Sequence, residues 1–171
     1  MKQIIKIAFL LISFSNCKQR DEQECKDCYP ENIGDIVFDK NLDDPSFKIC
    51  NPDRIFQYYN LNTGLRYKGE KPKISEHFNE LKTSEIAYEQ SGYITIRFII
   101  NCEGKTGYFR VQQMDNNFNR NVFDVELLEK FLLLTKQLDG WITHEKSGRS
   151  VDYYQYLTFK IEKGKLIEIM P

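Results

Sequence analysis

The sequence is poor in the residues that most often carry proton transfer near neutral pH. It holds two histidines, His77 and His144, and nothing local to either supplies the positioned partner that a general base needs; both read as surface residues, His77 on a helix and His144 in a loop. Charge of neither sign dominates. Of 24 basic residues, Lys2 and Lys6 lie in the first stretch, leaving 22 against 25 acidic ones and a charge of −3 for the remainder. That balance offers no basic footprint for nucleic acid, and no long basic run faces anionic lipid. There is no internal repeat and no low-complexity tract. Asp39, Asn41 and Asp43 echo the start of a calcium loop, but Asp44 replaces the required glycine and Cys50 falls where the closing glutamate should be. Catalytic residues, metal ligands and cofactors are therefore not expected.

What is present begins at the N-terminus. Ile4 to Phe14 is apolar apart from Lys6 and Ser13, which is roughly half the ~20 residues a spanning helix needs. A basic start and a short apolar core read as a signal peptide over residues 1–16. Phe14-Ser15-Asn16-Cys17 resembles the lipobox of bacterial lipoproteins, in which the cysteine is acylated and becomes the new N-terminus. Phe14 stands where that motif usually has Leu, and Asn16 where it has a smaller residue. The competing reading is an ordinary cleaved secretion signal, but no A-x-A-like site lies nearby. One acyl chain binds a membrane only marginally, and stable anchoring needs more than one; lipoproteins of this type carry several. Lys18, and not Asp, follows Cys17, and Asp21, Glu22 and Glu24 come next. This order resembles the surface-export signals of Bacteroidota lipoproteins, and it also suits a solvated flexible tether over 17–34. The expectation is an outer-membrane anchor at Cys17, on the periplasmic or the surface face.

Five cysteines are present. With Cys17 acylated, Cys25, Cys28, Cys50 and Cys102 remain, an even number suited to an oxidising compartment. Four cysteines allow three connectivities, and sequence alone does not choose among them. The preferred pairing is Cys50 with Cys102, at the end of a predicted strand, and Cys25 with Cys28. A redox role for Cys25-Lys26-Asp27-Cys28 would need a helix opening after a strand. Zinc would need a second close ligand pair. Neither is evident.

Residues 35–64 read as an irregular extension packing on the domain, with one short helix near Asp53 to Tyr59 after Pro52. From 65 to 171 the order is helix, strand, strand, helix, strand, strand. Ile74, Phe78, Leu81 and Ile86 place a helix over Pro72 to Glu89. Ile94, Ile96, Phe98 and Ile100 alternate along a half-buried strand, Tyr93 to Asn101, with Tyr108 to Met114 as its hairpin partner. Asn121 is positioned to cap a helix over Val122 to Leu138, with Val125, Leu128, Leu132 and Thr135 on one stripe and Leu127, Phe131, Leu134 and Leu138 beside it. After a loop at Ser147-Gly148, Val151 to Ile161 alternates again, and Lys165 to Ile169 forms a last strand. The fold expected is α+β, a small antiparallel sheet of three to four strands with one or two helices on one face.

From Tyr67-Lys68-Gly69-Glu70 through GYITIRFIINCEGK (Gly92 to Lys105) to Trp141, Gly148 and Leu157-Thr158-Phe159-Lys160, the layout over about 65–162 resembles the TonB C-terminal domain. That family has an aromatic-Gly start, a strand pair joined by an x-G-K turn, a helix ending near a Trp and a final strand. Thr143 stands where the family usually has Pro, and Gly69-Glu70 where it has Gly-Gly; its Tyr-Pro after the first helix is missing. The inner-membrane anchor and Pro-rich spacer of energy-transducing members are missing too, and an outer-membrane lipoprotein cannot draw on the proton-motive force in that way. The resemblance implies the fold, and only loosely the activity.

The candidate site is a tyrosine-rich sheet face: Tyr93 and Arg97 on one strand, Tyr154 and Tyr156 on another, aromatics and Arg being typical of binding hot spots. The competing reading is that residues 36–60 cover this face as a second layer. Trp141 reads as a core anchor. Two functions follow. One is a non-enzymatic envelope lipoprotein that binds a protein partner, by taking an extended segment onto a sheet edge unless Lys165 to Ile169 fills that edge. The other is a small-molecule or glycan binder using the tyrosines.

Overall fold

The computed structural model describes residues 34–79, 81 and 90–171. The expected signal peptide, the expected tether up to residue 33, Cys17, Cys25 and Cys28, and the distal part of the helix expected up to Glu89, lie outside the described residues. Asp35 onward forms one compact unit.

The first half of that unit is less regular than the second. A short strand β1 (Phe56–Gln57) runs into a 3-10 turn at Tyr58–Leu61, where a helix over Asp53 to Tyr59 was expected. Phe56 and Gln57 instead pair in parallel with Tyr153 and Tyr154, so tertiary pairing overrides the local helix signal at Pro52. Helix α1 (Glu70–His77) starts two residues before Pro72, which sits in its first turn, where a missing N–H costs nothing. Then come β2 (Gly92–Ile100), β3 (Thr106–Met114), α2 (Val125–Lys136), β4 (His144–Lys146), β5 (Arg149–Val151), β6 (Tyr153–Glu162) and β7 (Lys165–Met170).

The fold is α+β, with a sheet larger than expected. Five strands run in the order β1-β6-β2-β3, and β7 joins β6 beside β1. β6 pairs with β2 on one side over its whole length. On its other side it pairs with β1 at Tyr153 and Tyr154 and with β7 from Thr158 to Glu162. β4 and β5 form a separate hairpin where a loop was expected. Ser147 and Gly148 are its two-residue turn, both with positive φ, the conformation that matches strand twist in a tight hairpin. The expected single strand from Val151 is thus two strands, broken at the buried Asp152.

Alternation decides which face of the sheet is dry. Ile94, Ile96, Phe98 and Ile100 point to one side, where the register brings Phe159, Leu157 and Tyr153 beside them. Phe78 and Phe131 close over Phe159, with ring centroids 4.8 and 4.7 Å away. Each such ring contributes about 1.5–3 kcal/mol by leaving water. Trp141 is buried edge-on to Tyr67 and Phe98. Gly140 precedes it because a Cβ there would meet the Tyr67 ring at 2.7 Å.

Helix α2 departs from its expected stripe. Leu127, Phe131, Thr135 and Leu138 are buried, whereas Val125 is 65% exposed. Its cap is Asp124, whose carboxylate accepts from the N–H groups of Glu126 and Leu127. Asn121 cannot serve, because the N–H groups of Asn121 and Phe123 donate to Gln113, holding 121–123 extended along β3.

Candidate functional site

The four residues of the expected binding face do not act as one surface. In the register of β2 and β6, Arg97 lies opposite Tyr156 and Tyr93 opposite Lys160. Tyr154 faces the same side of the sheet from beside Ile99. The structure brings Arg97, Tyr154 and Tyr156 together at one end and leaves Tyr93 at the other.

The clustered end is covered. Tyr154 is fully buried; its hydroxyl donates to the Asp35 carboxylate at 3.1 Å and accepts from the Ile36 N–H at 3.3 Å. The Arg97 guanidinium lies 4.3 Å from the centre of its ring, a cation–π contact strengthened by exclusion of water. Burial lowers the Arg97 pKa and pushes both Tyr154 and Tyr156 up to about 12, so the tyrosines stay neutral at physiological pH. Tyr156 is half-buried, with the Tyr58 ring edge-on at 5.1 Å. The expectation of an open tyrosine face is corrected here. The Tyr154 hydroxyl, too costly to bury bare, is satisfied by the chain's own N-terminal extension, and the Arg97 cation lies against the Tyr154 ring.

The open end is smaller. Tyr93 stacks on Phe118 at 5.4 Å with the planes 8° apart, and Phe118 is 68% exposed. Between the two ends, Thr95 and Thr158 join their hydroxyls at 3.0 Å.

The extension is clamped at three points. Cys50 is disulfide-bonded to Cys102, at a sequence separation of 52. On chain-entropy reasoning a loop of that length contributes roughly 4 kcal/mol. Asp43 forms a two-pronged pair with Arg110 at 2.8 and 2.7 Å, and the same guanidinium donates to the Val37 carbonyl. Arg110 beside it, more than any other cause, holds the Asp43 carboxyl below its usual range. Phe38 and Phe47 pack against Tyr108, and a Cβ at Gly107 would strike the Phe47 ring.

These clamps distinguish the two lateral edges of the sheet. On β3, a bulge opposite Phe98 leaves Tyr108 with φ of 55°, the extension crosses at Arg110, and Met114 bridges back to Arg120. Bulges and covering segments are how edges are made unfit for pairing. On β7, among the described residues, no backbone group pairs with the outer side, and Ile167 is 52% exposed.

No family model matches this chain, and neither does any curated protein or solved structure. Among the described residues no helix is long and apolar enough to cross a membrane.

The histidines differ from their sequence reading. His144 is buried, on β4, and not a surface loop residue. Its Nδ1 lies 2.8 Å from the Thr63 hydroxyl, and its ring meets Tyr153 edge-on at 4.4 Å. Burial, helped by Arg66, lowers its pKa to about 4. A neutral, enclosed imidazole of this kind packs the fold. His77 lies at the end of α1 with Nε2 3.1 Å from the Leu134 carbonyl, tying α1 to α2. Cys50, Cys102 and Asp152 cluster within 4.8 Å, but the sulfurs are bonded to each other. The Asp152 carboxylate accepts the N–H groups of Asn51 and Cys102, which makes the cluster a brace.

Proposed function

We propose that this chain is an outer-membrane lipoprotein, anchored through Cys17, whose folded domain binds another envelope protein and performs no catalysis of its own. The observation that carries the binding mode is the asymmetry of the edges: β3 is bulged and strapped, while β7 keeps an unpaired outer side among the described residues. An extended segment of the partner would add to β7 through main-chain hydrogen bonds, with Ile167 supplying apolar contact. β7 does fill part of the β6 edge, as one alternative in the sequence allowed, and in doing so presents an edge of its own. The Cys50–Cys102 disulfide supports an oxidising compartment.

Metabolic labelling with a fatty acid, comparing wild type with Cys17→Ser, tests the anchor. Label on the wild type alone is expected, and label on neither would end the lipoprotein reading. Protease shaving of intact cells then assigns the leaflet. Cross-linking and pull-down from envelopes should recover one specific partner, lost in Ile167→Pro; recovery of none counts against the binding role.

A second reading is favoured by the stacked, part-exposed Tyr93 and Phe118, a platform suited to a sugar face. It predicts tyrosine fluorescence changes with a glycan that vanish in Tyr93→Ala. A flat response across a glycan panel removes it.

A further inference from the structure

The β4–β5 hairpin violates a local rule of sheet design. Its register sets Lys146 directly opposite Arg149, and like charges facing each other across a strand pair are destabilising. A third cation joins them from a distant part of the chain. Arg54 lies 5.1 Å and Lys146 4.5 Å from the centre of the Phe56 ring. Arg54, Phe56, Lys146 and Arg149 together line a cavity of about 400 Å³ that runs down to Val151 and Asp152.

The Phe56 ring offsets part of this charge, but no carboxylate among the described residues pairs with it. None of the three cations forms an ion pair there. Asp53 and Glu145 are their neighbours in sequence, but neither lines the cavity. Asp152 does, with its carboxylate turned to the backbone of Asn51 and Cys102. The chain as a whole is slightly acidic, so the gathering of cations is not an outcome of composition. A local conflict only partly compensated from within is expected at functional or strained sites.

We infer that this cavity binds a phosphate group. Two guanidinium forks and one ammonium suit a tetrahedral oxyanion, Arg giving paired hydrogen bonds and Lys a point charge. The Phe56 ring and Val151 provide an apolar wall for whatever carries the phosphate. The carrier is either a soluble phosphomonoester or the head group of a membrane lipid. The second is within reach if the chain is anchored as proposed above, but the site itself does not depend on the anchor. Cys50 also lines the cavity, so the disulfide fixes the segment that presents Arg54.

The test uses the full chain in detergent, titrated calorimetrically with glycerol phosphate, and separately with phosphatidylcholine vesicles with and without phosphatidylglycerol. The double variant Lys146→Gln, Arg149→Gln is compared with Lys105→Gln, a cation paired with Glu103 outside this cavity. Binding should weaken about tenfold or more in the double variant and not in the control, and should fall as salt rises. Saturation by glycerol phosphate assigns a soluble ligand, and binding only to phosphatidylglycerol vesicles assigns a head group; both support the site. Melting temperature separates this from a structural role: relief of the like-charge pair leaves the double variant at least as stable as wild type. No binding to any probe, or binding unchanged in the double variant, overturns the inference.

Discussion

The two lateral strands of the sheet, β3 and β7, have opposite fates. β3 is nine residues long, bulged at Tyr108 and crossed by a segment that Arg110 holds through Asp43 and Val37. β7 is six residues long, paired with β6 on its inner side and, among the described residues, with nothing on its outer side. The difference teaches that the extension does two things at once. It buries Tyr154 and partly covers Tyr156, and it straps the longer edge, while the shorter one keeps an unpaired outer side among the described residues.

Breaking the strap should have the largest effect. Cys102→Ala is expected to cost roughly 4 kcal/mol, from loop entropy alone, and to expose β3 to exchange and pairing. Denaturant unfolding with and without reductant checks this, and equal midpoints would show that the disulfide is not what holds the extension down. Arg110→Ala leaves the fully enclosed Asp43 side chain without its partner, at about 3 kcal/mol. The lowered Asp43 pKa carries a pH signature. That stabilisation is complete above the unfolded carboxylate value and fades as pH drops through the folded one, so wild type and variant should converge in strong acid.

His144 sharpens the contrast from inside the domain. Its folded pKa of about 4 lies below its ordinary 6.5, so between those values the unfolded chain binds the extra proton. Stability is therefore full above pH 6.5 and declines toward pH 4, by up to about 3 kcal/mol. Chemical denaturation across that range, repeated on His144→Gln, should show a slope that the variant loses. The smallest effect on folding belongs to Ile167→Lys on β7, within about 0.5 kcal/mol for an exposed position. Partner recovery should fall sharply even so, and unchanged recovery would point to another surface.

Parts of this architecture were legible from residue order alone. The period-two run of Ile94, Ile96, Phe98 and Ile100 placed β2 within a residue or two, because one face had to be dry. Trp141 was readable as a core anchor at a helix end, and Cys50–Cys102 was the preferred one of three connectivities that the sequence left open. The β4–β5 hairpin was not, since His-Glu-Lys and Arg-Ser-Val carry no apolar alternation and are only three residues each. The cap at Asp124 was hidden because Gln113, on a different strand, decides where the chain stays extended. That residues 36–60 cover the tyrosine face was one of the two readings open in the sequence, but the contacts that do so were not legible. Tyr154 on the polar side of its strand looks exposed until Asp35 and Ile36, well over a hundred positions away, are seen to meet its hydroxyl. The cavity cations come from segments nearly as far apart as those of the extension and the sheet, so no run of sequence announces them.

Site-specific photo-cross-linking in intact cells tests the central claim most directly, with the reactive group placed at Ile167 on β7 or at Gln112 on β3. A discrete protein adduct from position 167 and none from 112 is the result expected. An adduct from 112 with silence at 167 would contradict the assignment of β7 as the open edge, and silence at both would contradict edge binding altogether.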